Sequence, residues 1–168
     1  MNKFNNYLIT KYRKVYVMTN DMYKFSWNEK EGHAICAINA PNGHRYIGEA
    51  WCNSIDHDMM NEATGCNIAQ MRATIKMYQG WRNEYKIRLD ALNEVYYCMK
   101  HSTHFNPKSY ENRMLQRKIK AQQENISTLN EYINDLRKDI KSYIDEKDMF
   151  YKRIRNNRER EVNKAKIN

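Results

Sequence analysis

A ladder of apolar residues rising in alternating steps of four and three constrains this chain more than any other feature. Its rungs are Leu115, Ile119, Gln122, Ile126, Leu129, Ile133, Leu136, Ile140, Tyr143, Lys147, Phe150 and Ile154. That spacing is the a/d seam of a heptad repeat, broken only at Gln122 and Lys147. After Pro107 neither Gly nor Pro interrupts it. Asn106 is placed to cap such a helix, and Pro107 fits its first position, where the missing N–H is not needed. At ~1.5 Å per residue, a helix from Asn106 to Arg160 reaches roughly 80 Å. A chain of 168 residues cannot bury that stripe within one globule. It requires a partner helix, from this chain and from another copy.

The chain supplies one partner. Ile68, Met71, Ile75, Tyr78, Arg82, Tyr85, Leu89, Leu92, Tyr96 and Met99 repeat the pattern, broken only at Arg82. Gly80 weakens this helix by ~1 kcal/mol relative to Ala without ending it. His101 to Phe105 is a link of the length that joins antiparallel neighbours. The two stripes therefore close as a helical hairpin. The second helix overhangs, with Tyr143, Phe150 and Ile154 left for another protomer. Periodicity fades after Ile154, and fraying is expected there.

Upstream the period drops to two. After a polar, basic arm at 1–14, Arg13 to Met18 reads as a strand and Thr19-Asn20-Asp21 as a turn. Tyr23, Phe25 and Trp27 fall on one face of the next strand. Asn28 to Gly32 is a second turn, and His33 to Asn39 a further strand. Pro41-Asn42-Gly43 is the strongest hairpin signal, followed by a strand from Arg45 to Cys52. The expected class is α+β: a small antiparallel sheet of four or five strands, then two long helices packed as a coiled-coil-like hairpin. The expected divisions are 1–57 for the meander, 58–105 for the first helix and link, and 106–168 for the heptad helix and its basic tail.

The chain carries 29 Lys and Arg against 20 Asp and Glu, a net charge of +9. Such a field favours anionic partners, although a Lys- and Asn-rich composition alone produces it too. Cys36, Cys52, Cys66 and Cys98 are irregularly spaced without a C-x-x-C pair, as free thiols in a reducing compartment would be. The N-terminus lacks the apolar core of a signal peptide, and no apolar run nears the ~20 residues of a membrane span. A location in the cytoplasm, off the membrane, is expected.

No G-x-S-x-G, phosphate-binding loop or H-E-x-x-H is present, and no cofactor is implied. Asp56-His57-Asp58 sits at the strand-to-helix junction, but a His between two Asp falls short of a phosphohydrolase centre and serves equally as helix capping. Cys98, His101 and His104 step by three with no fourth ligand in view, so neither a catalytic nor a metal site is assigned. Arg113 and Arg117 stand one helical turn apart, as do Arg72 and Lys76. Guanidinium pairs at that spacing can clamp phosphates through parallel hydrogen bonds, though they also occur on solvated coiled-coil flanks. Phe105 and Tyr110 lie near one pair, Tyr78 and Trp81 near the other, and aromatic faces beside cations suit a nucleotide.

Several stretches together resemble a known family. They are Tyr46-Ile47-Gly48-Glu49-Ala50-Trp51-Cys52, then Asp56, then Gly65 to Lys76, and the helix from Tyr110 with Arg113, Arg117 and Tyr143-Ile144. From Tyr46 to Ile154 the chain resembles the first-described family of phage anti-Thoeris proteins. These are multimeric sponges that sequester cyclic ADP-ribose-type signals made by TIR-domain proteins, some with a second site for cyclic oligonucleotides. The resemblance implies Arg113 and Arg117 as phosphate ligands, with Phe105 stacking on the base and Asn112 contacting the ribose. Arg72 and Lys76 join them as candidate ligand residues.

The expected function is a non-enzymatic nucleotide sponge, working as a homo-oligomer (dimer or hexamer) in the cytoplasm of a phage host. It would block Thoeris-type signalling by holding cyclic ADP-ribose isomers uncleaved. The alternative is a basic coiled-coil protein that binds nucleic acid or inhibits a nuclease. A third reading is a structural coiled coil that recruits a protein partner.

Overall fold

The computed structural model describes residues 22–52 and 61–167, with side chains through Val162. The expected strand at Arg13–Met18, the turn at Thr19-Asn20-Asp21 and the Asp56-His57-Asp58 cluster lie outside the described residues. The fold is α+β. A three-stranded antiparallel sheet is formed by β1 (Tyr23–Asn28), β2 (His33–Asn39) and β3 (Arg45–Trp51) in the order β1-β2-β3. Two long helices follow, α1 (Glu62–Lys100) and α2 (Tyr110–Ile167), and they pack against each other. Three of the expected strands are described, and the fourth, at Arg13–Met18, falls outside the described residues.

The turns follow from their residues. Gly32 and Gly43 take φ of 61° and 82°, which side chains disfavour, and so close the two hairpins. Asn28 and Asn42 reinforce them by accepting from the Lys30 and His44 amides through Oδ1, at 3.1 and 3.2 Å. Register places Phe25 opposite Cys36 and Cys36 opposite Gly48; Trp27 likewise aligns with Ala34, and Ala34 with Ala50. On this face Ala34, Cys36, Ile38 and Ala50 are buried.

Helix starts differ from their sequence signals. Asn61 caps α1, its Oδ1 accepting from the Thr64 amide at 3.0 Å, so the helix begins at Glu62, ahead of Ile68, the first rung of its ladder. Asn106 does not cap α2. Its Oδ1 accepts from the Lys108 amide at 2.9 Å in a local turn, and Ser109 Oγ takes the Asn112 amide at 3.2 Å. The cap therefore moves to Ser109, and α2 begins at Tyr110. At its far end α2 is helical to Ile167, past the point after Ile154 where the heptad spacing fades.

Contacts divide the chain into two compact units: Met1–Thr74 with Asp135–Asn168, and Ile75–Asn134. In the second unit the hairpin is antiparallel. Tyr78 packs on Tyr132 with ring centroids 5.9 Å apart, Arg82 Nη1 donates to Asn130 Oδ1 at 3.1 Å, and Gln116 Nε2 donates to Tyr96 Oη at 3.2 Å. Leu115, Leu129 and Ile133 of the α2 ladder are buried there. Arg82, the break in the other ladder, is thus held by an amide.

In the first unit the sheet lies on α1 through small residues. A Cβ on Gly48 would overlap the Ala69 carbonyl oxygen and the Ala73 amide, so strand and helix backbones touch. Ala69 and Ala73 are fully buried, as are Met71 and, from α2, Leu136. Thr74 returns its hydroxyl to the Gln70 carbonyl at 2.9 Å, which satisfies it in that dry layer. Asn67 Nδ2 donates to Tyr143 Oη at 3.4 Å, joining α1 to α2 within this unit.

Candidate functional site

The first unit contains a cavity of about 260 Å³ where the end of the sheet meets the first turns of α1 and the later turns of α2. Trp27 comes from β1, Trp51 from β3, and Tyr151 from α2, so aromatic rings stand on three elements around it. Trp27 is positioned by packing on Gly65: a Cβ there would come 3.1 Å from the Trp27 ring and 3.0 Å from the Ala34 Cβ. Trp51 is 61% exposed and lies flat on His33 of β2, ring centroids 3.6 Å apart and planes 8° apart. His33 is its direct cross-strand partner. The His33 Nε2 lies 3.4 Å from a Glu49 carboxylate oxygen.

Two cations and one carboxylate complete the lining: Arg72, Lys147 and Asp148. Arg72 is anchored by Nη1, which donates to the Glu49 carbonyl oxygen at 2.6 Å. A guanidinium has five N–H donors, so this bond leaves others for a ligand. Lys147 sits with its ammonium 5.4 Å from the Tyr143 ring centroid, within cation–π range. The break it makes in the apolar ladder coincides with the cavity wall. Asn61, Thr64 and Gly65 of the first turn of α1 also line the cavity, and a helix N-terminus adds partial positive charge.

The arrangement can stack a planar ring, hold a phosphate between Arg72, Lys147 and the helix start, and accept a hydroxyl or amino proton on Asp148. No family model, curated protein or solved structure matches this chain. Its chemistry therefore rests on the residues themselves.

Of the sequence candidates, Arg72 lines this cavity. Arg113 and Arg117 are exposed on α2 in the other unit, and Lys76 is exposed on α1. Phe105 and Asn112 hold the interhelical link. Phe105 meets Tyr96 edge-on at 6.4 Å, and Asn112, 3% exposed, donates Nδ2 to the Asn106 carbonyl oxygen. Cys98, His101 and His104 do not converge: His101 Nδ1 lies 2.8 Å from the Tyr97 carbonyl oxygen. Among the described residues no group of three His, Cys, Asp or Glu is placed to hold a metal ion. Likewise no helix of the described residues is long and apolar enough to cross a membrane.

Sequence reasoning missed Trp27, Trp51, Lys147 and Tyr151 as a set. The available signal was Lys147, a cation at an apolar rung.

Proposed function

We propose that the protein is a nucleotide sponge that binds a cyclic ADP-ribose-type signal without cleaving it, and so blocks Thoeris-type immune signalling in the cytoplasm of a phage host. The observation that carries this reading is the cavity lined by Trp27, Trp51 and Tyr151 together with Arg72 and Lys147. A base has a π face and its phosphates carry charge; these side chains offer one partner for each. The family resemblance from Tyr46 to Ile154 points the same way. Sequestration needs only preorganised contacts, with no acid, base or nucleophile. Ligand pockets usually span ≈ 300–1,000 Å³, so a cavity of about 260 Å³ grips one end of such a molecule. The remainder would be covered by a second protomer of a homo-oligomer, dimer or hexamer.

The test is to incubate the protein with a cyclic ADP-ribose isomer, remove free ligand, heat, and identify what is released by mass spectrometry. Intact ligand is expected; a cleaved product would make the protein an enzyme. Arg72→Gln with Lys147→Gln should abolish capture, whereas Arg113→Gln with Arg117→Gln should preserve it. The reverse outcome would move the site to the α2 pair, and capture surviving both would remove the phosphate contacts from the account. Native mass spectrometry of the same sample gives the stoichiometry.

A further inference from the structure

We infer that the last turns of α2, from Met149 onward, form an arm that lies in the major groove of duplex DNA. The stretch holds Lys152, Arg153, Arg155, Arg158, Arg160, Lys164 and Lys166 against Glu159 and Glu161. That surplus of five supplies more than half of the chain's net +9. Every residue from Asn156 to Val162 is exposed, as are Lys152 and Arg153.

The residues sort by face. Arg153, Asn156, Asn157 and Arg160 follow at steps of three, one and three and share one side of the helix, with Lys152 at its border. Phe150, Ile154 and Glu161 border this face along one edge, and Tyr151, Arg155 and Arg158 lie on the opposite side. On the polar face Lys152, Arg153 and Arg160 supply the charge that neutralises phosphates, and Asn156 and Asn157 are of the type that bonds adenine through two hydrogen bonds.

Shape selects among anions. An α-helix is ≈ 10–12 Å across and the major groove of B-DNA ≈ 12 Å wide, whereas the corresponding groove of duplex RNA is too narrow and deep. A membrane surface would need a broad apolar side; here Phe150 and Ile154 make only a narrow strip, which Glu161 continues. From Met149 to Ile167 the helix extends roughly 28 Å, long enough to follow the groove past several phosphates.

The experiment measures fluorescence anisotropy of a labelled DNA duplex of about 16 base pairs with the full-length protein, across about 50 to 200 mM salt. Binding is expected, with log affinity falling against log salt at a slope of about −3 to −4, since each neutralised phosphate contributes about −0.9. Arg153→Glu with Arg160→Glu should weaken binding at least about tenfold and make the slope shallower by about 2. Circular dichroism checks that α2 persists in this variant; if helicity falls, Arg153→Gln with Arg160→Gln replaces it. The same variants should still capture the cyclic nucleotide, which separates failure of this inference from failure of the sponge reading. No binding at the lowest salt, binding indifferent to both variants, or tighter binding to duplex RNA or to phosphatidylglycerol vesicles would overturn it.

Discussion

Arg72 of α1 donates to the Glu49 carbonyl oxygen of β3 at 2.6 Å, and that bond fixes a cavity cation to the backbone of the sheet. The Glu49 side chain reaches His33, and His33 carries Trp51 on its ring face. One strand residue thus connects a cation to an aromatic wall. Arg72→Lys keeps the charge but loses the planar fork. It should bind the nucleotide several-fold more weakly than the wild type, yet more tightly than Arg72→Gln. Isothermal titration of the three proteins checks the order, and equal affinities would exclude Arg72 from the site.

Gly65→Ala should disturb the same cavity from the opposite wall. The new methyl meets Trp27 and Ala34 at a separation where the neighbours must give by a few tenths of an ångström. Overpacking costs about 1–3 kcal/mol and is partly offset by the ~1 kcal/mol that Ala gains over Gly within a helix, so a net loss of about 1 kcal/mol is expected. Because Trp27 lines the cavity, nucleotide capture should fall and tryptophan emission should shift. Unchanged emission and unchanged capture would show that Trp27 does not form that wall.

Gly48→Ala should be far more damaging, because the added Cβ meets backbone atoms of Ala69 and Ala73 that no rotamer change can move. We expect a loss of about 3 kcal/mol or more, which for a chain of this size lowers Tm by roughly 10 °C. A melting temperature within a degree or two of wild type would refute the close approach.

The two uses of α2 should separate under alanine substitution. Leu136 is fully buried, and Leu136→Ala should cost about 2–5 kcal/mol. Arg113 and Arg117 are exposed, and replacing either should change stability by less than about 0.5 kcal/mol. Chemical denaturation measures all three. A large cost at either arginine would mean that it has a structural partner.

Alkaline pH should weaken the fold through its buried acids. Burial pushes the Cys36 thiol from 9.0 up to about 12, with the nearby Cys66 adding to the rise. Burial raises Cys66 too, with a further push from Glu62. It also raises the Tyr23 hydroxyl, against the opposing effect of hydrogen bonds to Thr74 and Gln70. Above pH 9 the unfolded chain releases the Cys36 proton while the folded chain retains it. The stabilisation is therefore complete below pH 9 and is lost as pH climbs towards 12, at up to about 1.4 kcal/mol per pH unit for that one group. Urea midpoints should fall over this range and fall less steeply in Cys36→Ala. Identical slopes would place the loss elsewhere.

The helices were legible because their signal is local and repeated. Leu129, Ile133 and Leu136 are buried where the four-three spacing places them, and none of the α1 rungs from Ile68 to Met99 is exposed. The helix starts were less legible, since Asn61, Asn106 and Ser109 are all residue types that cap or turn, and only the hydrogen bonds show which does which. Gly48, Ala69 and Ala73 formed part of the pattern that suggested a family. In the fold these small residues serve as the seam between strand and helix.

Periodicity by itself determined the two long helices, their antiparallel pairing and the sheet before them, because burying an apolar stripe leaves a helix few choices. Tertiary structure alone decided the cavity. Trp27, Trp51, Arg72, Lys147 and Tyr151 are scattered over more than a hundred positions and share no spacing. They converge because the Gly48 contact draws the sheet onto α1 while the paired helices carry Lys147 and Tyr151 to its open end.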